Sequence, residues 1–355
     1  MFKETINKLW SDIFSRISLI VLGLIYLSLL FADIIAPYPK DFSDRTMAYV
    51  PPSKIFIVTE DYKLSRPYTY NYVRGFDSEN LRITYNLDRS QKHYIKFFAK
   101  GHPYKFLGVI PMRFHLVTTD EDGRLFLLGT DINGRDVFSR ILFGGRISMT
   151  IGFLALFVLF PIGLLYGGIS GYFGGVVDVL MMRFAEAVMS IPSFYLLIIL
   201  ASILPNGMTS TQRFMLIVII LALIGWAGFA RVVRGIVLSV KNQEYVQAAK
   251  SIGASNLRII IKHILPQTTS FVIVAMTLSV PSYILSESGL SFLGLGIQQP
   301  DASWGNMLKE AQEYTNIIYR PWLLTPGFLI FITVLAFNVI GDTIRDVLDP
   351  KSHSQ

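Results

Sequence analysis

The sequence contains no cysteine and few charged residues: Asp, Glu, Lys and Arg make up only 16% of its 355 residues. The absence of cysteine excludes disulfides, thiolate metal sites, a cysteine nucleophile and a lipid anchor on an N-terminal cysteine. No G-x-x-x-x-G-K-[ST] motif occurs, so the chain does not bind ATP through a P-loop. The five histidines are scattered without metal-ligand spacing. We therefore predict no bound metal and no cofactor.

Apolar residues dominate what is present. They make up 52% of the chain, and the mean hydropathy is +0.47. This composition is typical of a membrane protein and not of a soluble one. In that setting, the net charge of +7 indicates basic loops facing the cytoplasm and anionic lipid, not nucleic acid binding.

Six apolar runs are long enough to cross a bilayer as helices. The first could be a signal peptide, but it is longer than a signal core and lacks a small-residue cleavage site, so we interpret it as a retained anchor. In the third run, Pro192 predicts a kink, and Arg183 and Glu186 are spaced to neutralise each other. The six runs are residues 17–36, 147–171, 176–204, 214–240, 268–295 and 322–348.

Residues 37–127 differ in kind from the rest of the chain. They are polar and aromatic, they are interrupted by proline and glycine, and they contain short β-rich runs. The pair Asp122-Gly123 predicts a hairpin between the runs 114–118 and 125–128. We predict a small β-rich domain here, inserted after the first helix, and we interpret its aromatic residues as its own core in preference to a ligand platform.

Basic residues predict the orientation of the chain. Six lie in the short loop 231–262, whereas the loop 205–213 holds only Arg213. Because short loops rich in Lys and Arg face the cytoplasm, we expect both termini inside and the large insert outside. The expected domains are residues 1–36 (N-terminus and first helix), 37–127 (extracytoplasmic insert) and 128–355 (five helices, with a cytoplasmic loop at 241–266).

One polar stretch, residues 244–266, lies between two of the apolar runs but carries helical signals. The segment 244–250 consists of good helix formers, and the segment 256–264 has apolar residues at helical spacing. We predict two short helices with a bend at Gly253 and an end at Pro266. Ala248 and Ala249 have little side-chain bulk, so another protein surface could approach the first helix closely. We interpret the stretch as a docking element.

A second block, residues 128–140, precedes the second apolar run. Thr130 or Asp131 can cap a turn, and Gly134 permits a tight bend, so we predict an amphipathic elbow. We expect Arg135, Asp136 and Arg140 at the membrane interface. No base, metal cluster or nucleophile accompanies the two aspartates, which argues against a hydrolase.

The stretch 244–266 resembles the coupling loop of ABC-importer permeases. Gln247 departs from the family pattern by replacing an acid, and His263 by replacing an apolar residue. The resemblance implies that the loop inserts into a groove on a cytoplasmic ATPase subunit. The coupling-loop residues that the resemblance implies are Glu244, Tyr245, Gln247, Ala248, Ala249, Gly253, Ala254, Leu265 and Pro266.

The elbow block resembles the corresponding block of the dipeptide, oligopeptide and nickel permease family. A third block, residues 290–308, also resembles this family, and its Trp304 suits the membrane interface. The resemblance covers most of 128–350 in the right order. The elbow residues that match are Gly129, Thr130, Asp131, Gly134, Arg135, Asp136 and Arg140.

This resemblance implies an all-α polytopic protein with six transmembrane helices, acting as the C-type permease subunit of an ATP-driven importer. The implied partners are a second permease, two cytoplasmic ATPases and an extracytoplasmic solute-binding protein, in the bacterial inner membrane. ATP hydrolysis is expected in the partners and not in this chain. Peptides are the implied ligands, with nickel complexes or peptide antibiotics as alternatives. Whether residues 37–127 contact the binding protein stays open.

Glu287 is an acid within an apolar run, where a charge is costly. It could face the translocation path or a second permease, or it could be a packing acid bonded to Ser286, Ser288 or a neighbouring helix. A secondary transporter coupled to protons or sodium remains an alternative function, although it would require clustered ionisable residues and repeat symmetry. A membrane enzyme would require a catalytic constellation that the sequence lacks.

Overall fold

The structure, a computed structural model, describes residues 2–59, 62–78, 82–205 and 207–348 of the chain. Most of these residues are helical. Short 3₁₀ turns and one π-helical turn (Ile260–Ile264) supplement the α-helices. The α-helices are α1 (Phe2–Ser11), α2 (Ile13–Leu30), α3 (Ala32–Ile35), α4 (Val137–Phe173), α5 (Gly175–Met189), α6 (Ser193–Ser202), α7 (Ser210–Val240), α8 (Glu244–Ser251), α9 (Asn256–Ile259), α10 (Thr269–Phe292), α11 (Trp304–Leu308), α12 (Tyr314–Tyr319) and α13 (Thr325–Leu348).

The strands lie between α3 and α4 and form three small antiparallel sheets. One sheet has the order β1-β2-β5, and the other two are the hairpins β3-β4 and β6-β7. The β-rich domain predicted after the first long helix is therefore present. The strands are β1 (Phe56–Val58), β2 (Leu64–Thr69), β3 (Tyr72–Asp77), β4 (Arg82–Leu87), β5 (His93–Tyr94), β6 (Lys96–Phe106) and β7 (Ile110–Thr118).

The hairpin predicted at Asp122-Gly123 is wrong. Gly123 donates a hydrogen bond to the Asp120 carbonyl, so a turn is present. However, residues 125–128 form no strand, and β7 pairs with β6 instead. Leu125 and Phe126 are each 1% exposed, so this apolar run packs into the core of its unit and not onto a sheet.

Five helical segments are long and apolar enough to cross a membrane. The pair α5 and α6 passes the same test but is bent by 74° at the break that contains Pro192, so the count rises to six if this pair is one span. The predicted kink at Pro192 is confirmed, because proline has no N–H for the helical ladder and its ring disturbs the preceding turn. The predicted fold class is confirmed as well. The five segments are Ile13–Leu30, Val137–Phe173, Ser210–Val240, Asn256–Phe292 and Pro321–Leu348.

The chain divides into two compact units. The first contains the described parts of Met1–Leu22, Met149–Leu290 and Ile330–Gln355, and the second contains those of Gly23–Ser148 and Ser291–Leu329. The β-rich insert lies in the second unit.

Within the first unit, a stripe of glycines brings α4 against α7. Gly163, Gly167 and Gly171 are four residues apart and therefore share one face of α4. A Cβ atom at Gly167 would lie 2.3 Å from the Ala230 carbonyl oxygen, and one at Gly171 would lie 2.8 Å from the Val237 Cβ. Small residues permit such close backbone approach between membrane helices.

Within the second unit, Trp304 is a core residue. It is 1% exposed, and its indole nitrogen donates to the Ile141 carbonyl at 3.0 Å. The buried indole therefore finds its hydrogen-bond partner inside the protein, and the position of Trp304 at the membrane interface stays a prediction. Nearby, Arg146 donates to the Leu29 carbonyl at 2.6 Å and to the Asp33 carboxylate at 2.7 Å. These bonds join the end of α2 and the helix α3 to α4.

Candidate functional site

The stretch 244–266 begins as predicted, with a short helix that ends in a sharp bend. The Gly253 N–H donates to the Lys250 carbonyl and the Ala254 N–H donates to the Ala249 carbonyl, which is the pattern of a Schellman motif. Gly253 has a φ of +80°, in the left-handed region that favours glycine. The predicted bend at Gly253 is confirmed.

The predicted helix end at Pro266 is wrong. The helical path continues from α9 through the π turn and a 3₁₀ turn (Leu265–Thr268) into α10. Leu265 N–H donates five residues back, to the Ile260 carbonyl. This wider turn lets the chain pass Pro266, which has no N–H and whose ring would clash inside a regular α-helix.

The packing of α8 corrects the interpretation of Ala249. Val246 is fully buried and Ala249 is 4% exposed, and α8 packs on α9 and the π turn. Ala249 therefore faces the chain itself and cannot present a surface to a partner. The exposed face of α8 carries Glu244, Tyr245, Gln247 and Ala248.

The most exposed apolar residue of this loop is one that sequence reasoning missed. Ile252 is 85% exposed, and Leu257, on the other side of the bend, is 57% exposed. We call these two residues with the exposed face of α8 the loop tip. The sequence signal for Ile252 was its position just before Gly253. The helix ends there, so a side chain at this position does not pack on the buried face of α8.

Two contacts attach the loop to the end of α4. The Tyr172 hydroxyl donates to the Asn256 side-chain oxygen at 2.9 Å, and the Lys250 ammonium lies 5.2 Å from the centre of the Tyr172 ring. Gly168 lies one turn earlier, where a Cβ would be 3.2 Å from a methyl carbon of Leu265. Both helices of the loop are therefore held against one helix.

An ion pair supports this end of the first unit. Asp178 on α5 accepts from the Ser170 hydroxyl at 2.5 Å and from the Arg234 Nε at 2.9 Å, and the other Arg234 nitrogen bonds its second oxygen. Lys241 donates to the Gly171 carbonyl at 3.0 Å. The cluster ties the end of α4, the beginning of α5 and the last turns of α7 together.

Replacing Asp178 with alanine should lower the free energy of unfolding by about 3 kcal/mol, because Arg234 keeps a half-buried charge without its partner. Unfolding of the purified chain in mixed micelles measures this, and a double-mutant cycle with Arg234→Ala isolates the pair. Arg183 and Glu186 form the matched control, since this predicted pair is confirmed at 3.2 Å but is exposed. Its coupling should stay below about 1 kcal/mol. Equal coupling energies in the two cycles would contradict the prediction.

The elbow block folds around Asp131. One carboxylate oxygen accepts the N–H groups of Asn133 and Arg135, and the other pairs with the Arg135 Nε at 2.6 Å and the Arg140 Nε at 3.4 Å. Gly134 has a φ of +66°, which confirms the predicted tight bend. The two arginines also converge on the Gln299 side-chain oxygen.

The predicted exposure of the elbow's charges at the membrane interface is wrong. Arg135, Asp136 and Arg140 are 6%, 1% and 3% exposed. The charges of the two arginines are compensated by Asp131 inside the second unit, which explains how they can be buried. Asp136 caps α4 by accepting the Ser139 N–H at 2.7 Å. Thr130 caps no helix: its hydroxyl donates to the Met47 carbonyl and accepts the Val50 N–H, and Gly129 packs under Trp322.

The buried carboxyl of Asp136 predicts a pH-dependent stability. Burial raises the pKa of Asp136 to about 7, although the hydrogen bonds from Ser139 act to lower it. Burial also raises the pKa of Glu310 to about 7. Between about pH 4 and 7 the folded state then binds more protons than the unfolded state. Stability should therefore be highest at low pH and fall as the pH rises through 7, by on the order of 2 to 4 kcal/mol for each group.

Thermal unfolding between pH 5 and 8 measures this slope, and Asp136→Asn should reduce it by about half, because asparagine cannot ionise. The control is Asp88→Asn: hydrogen bonds from Ser90 lower the pKa of this exposed carboxyl, so it titrates below the range. A slope that Asp136→Asn leaves unchanged would contradict the assignment.

Glu287 is fully buried within the first unit, 3.5 Å from the Ser288 hydroxyl. Of the two hypotheses, this burial favours the packing acid, since a residue with no exposure does not line a path in this conformation. A cavity of about 270 Å³ lies nearby, with the hydroxyl groups of Ser279, Ser282 and Ser286 on one face of α10. Sequence reasoning missed this serine stripe, although its helical spacing was visible.

Comparison with known proteins gives consistent results. The family described as "Binding-protein-dependent transport system inner membrane component" matches residues 141–354. The chain is 47% identical to the dipeptide transport system permease protein DppC of Bacillus subtilis, over 63% of this chain and 68% of that protein. It is 42% identical to the oligopeptide transport system permease protein OppC of Haemophilus influenzae, over 69% and 80%. It is 41% identical to the glutathione transport system permease protein GsiD of Escherichia coli O157:H7, over 63% and 71%.

Proposed function

Because the chain belongs to the family of binding-protein-dependent transport system inner membrane components, we propose that it is a permease subunit of an ATP-driven importer of peptides or similar small solutes. The observation that carries this proposal is the match of residues 141–354 together with relatives named for dipeptide, oligopeptide and glutathione transport. The chain is a multi-pass inner membrane protein of a transport system with further subunits.

The proposed partners are a second permease, two cytoplasmic ATPases and an extracytoplasmic solute-binding protein. The chain itself has no P-loop motif, so the energy must come from a partner subunit. In this proposal the chain catalyses no reaction. Both termini and the stretch 244–266 face the cytoplasm, in keeping with the basic residues of that loop, and residues 37–127 lie outside.

The loop tip is the proposed docking element for an ATPase. It combines exposed apolar side chains at Ile252 and Leu257 with the polar exposed face of α8. Exposed apolar residues of this size favour burial in a partner's groove. Gly253 and Ala254 form the bend. Ala249 is buried on the inner face of α8, where it packs against the rest of the chain.

Movement of the docked loop would reach the membrane through α4. Tyr172 and Gly168 contact the loop on both sides of its bend, and the helical segment runs from α9 through Leu265 and Pro266 into α10 without interruption. Closure of the ATPases would then shift these helices together, giving alternating access. The serine-lined cavity beside α10 is the proposed polar lining of the solute path, with Glu287 packed behind it. The elbow residues 129–140 would act as a rigid support.

ATP-dependent uptake by the complete transporter in proteoliposomes tests this function. Uptake of a radiolabelled dipeptide should require the binding protein outside and ATP on the ATPase side, and it should persist when ionophores collapse the proton and sodium gradients. Loss of uptake with the gradients, while ATP remains, would favour the ion-coupled secondary transporter instead. Uptake of nickel complexes or peptide antibiotics alone would keep the ATP-driven mechanism but change the solute.

A further inference from the structure

A cleft of about 580 Å³ lies within the second unit, apart from the loop tip and the serine-lined cavity. Three segments form it: the hairpin β3-β4, residues 48–51 between α3 and β1, and the α12 region with the 3₁₀ turn that follows. Its volume is in the range of small-ligand pockets. The side chains that matter for its chemistry are Tyr49, Asp77, Ile83, Tyr85, Arg320 and Trp322.

Arg320 is the basic side chain in the lining, and Asp77, which has an interaction of its own, is the acidic one. The Arg320 guanidinium lies 3.6 Å from the centre of the Tyr49 ring and donates to the Asn316 side-chain oxygen. Within the described ranges, no carboxylate forms an ion pair with Arg320. A guanidinium has five N–H donors in a planar fork that fits a carboxylate. Stacking on Tyr49 and the bond to Asn316 leave further donors for a ligand.

The aromatic walls are held by hydrogen bonds at their outer atoms. The Tyr85 hydroxyl donates to the Ala48 carbonyl at 2.6 Å, and the Trp322 indole donates to the Thr130 carbonyl at 3.1 Å. Asn316, which holds Arg320, is 1% exposed and donates to the Glu310 carbonyl at 2.6 Å. The polar ends are engaged with the protein, so the rings can offer apolar faces to the cleft.

Tyr49 adds a second observation. Its φ is +61°, a left-handed conformation that is unfavourable for a bulky residue. Such strain persists only where the surrounding structure imposes it, and it clusters at ligand clamps. Here it places the ring under the Arg320 guanidinium.

We propose that this cleft binds a short peptide by its free carboxylate, with Arg320 as the anion-binding group and the aromatic walls around the adjacent apolar side chain. The choice of a peptide rests on the proposed function, whereas the carboxylate-plus-apolar chemistry rests on the cleft alone. The insert then contributes a solute-binding site of its own, through Tyr49, Ile83 and Tyr85. The aromatic residues predicted to be core divide in two: Tyr72 and Phe126 are buried core, and Tyr85 lines the cleft.

Calorimetric titration of the full chain in lipid nanodiscs tests the proposal without any transport step. The probes are the dipeptide Ala-Phe and its C-terminal amide, which lacks the carboxylate charge. The free acid should bind at least about tenfold more tightly than the amide, because a hydrogen bond to a charged group contributes more than one to a neutral group. Arg320→Gln should remove this difference.

Two further variants keep the test decisive. Ile83→Trp fills the cleft from the exposed edge of β4 without touching its hydrogen bonds, so it should lower the affinity for Ala-Phe even if Arg320→Gln misfolds. Arg113→Gln removes an exposed arginine of β7 outside the cleft and should leave the affinity unchanged. Equal affinities for acid and amide, or binding that Ile83→Trp does not weaken, would overturn the proposal. Because binding is measured on this chain alone, that failure is separate from a failure of ATP-driven uptake.

Discussion

Replacing Ile252 with aspartate should release the ATPase from the transporter while the chain stays in the membrane. Ile252 is 85% exposed beside the bend at Gly253, so the substitution costs little folding stability. In a docked complex the same position would bury a charge in an apolar groove. We expect the affinity for the ATPase to fall at least about thirtyfold, as at an interface hot spot.

Co-purification from gently solubilised membranes measures this effect. With the tagged unmodified chain, an ATPase and a second permease should come down together. With Ile252→Asp, the second permease should remain and the ATPase should be lost. Val109→Asp is the matched control, because Val109 is 79% exposed in the turn between β6 and β7. If the ATPase still co-purified with the Ile252→Asp variant, the hypothesis that the loop tip docks on the ATPase would be contradicted.

A substitution at Gly253 tests whether the loop must be rigid, independently of whether it docks on the ATPase. A Cβ at this position would meet nothing within 4 Å, but the φ of +80° disfavours any other residue. A bulky residue here should reduce uptake at normal membrane abundance by distorting the bend. Wild-type uptake in that variant would contradict the idea that the loop acts as a rigid lever.

Replacing Gly134 with alanine should be the most damaging single-methyl change among the elbow residues. Its Cβ would lie 1.7 Å from the Asp44 carbonyl oxygen and 2.6 Å from the carbonyl carbon. Both neighbours are backbone atoms, so no change of rotamer relieves the overlap. We expect the free energy of unfolding to fall by on the order of 4 kcal/mol, which is within the range for severe overpacking with backbone strain.

Gly108→Ala is the control that separates this overlap from strain. Gly108 has a φ of +79°, but a Cβ there meets nothing within 4 Å. It should therefore cost only the strain of the left-handed conformation, about 1 kcal/mol. Thermal unfolding of both variants, with limited proteolysis of the second unit, measures the difference. Equal losses would show that strain alone explains Gly134.

Local features of the sequence were enough for some predictions. The apolar runs predicted the long helices, because a bilayer demands about 20 apolar residues for each span whatever the tertiary packing. The bends at Gly134 and Gly253 and the kink at Pro192 were also predictable, since the conformational limits of glycine and proline act within a few residues. The resemblance of three sequence blocks indicated the family without any tertiary structure.

Other features depended on which surfaces meet in the folded chain. Composition could not indicate that Ala249 faces inward while Ile252 points to solvent, because that depends on where α8 packs against α9. Nor could it indicate that Arg135 and Arg140 are buried: Asp131 pairs with both of them locally, but further contacts come from Gln299 and Glu310, more than 150 residues away along the chain. The cleft around Arg320 also depends on contacts between segments that are distant in the sequence.

The sequence by itself therefore determined the spans, the bends and the family, because each depends on residues close together in the chain. Only the tertiary structure decided which side chains are exposed for docking, which charges are compensated inside, and where cavities form, because burial is a property of contacts between distant segments.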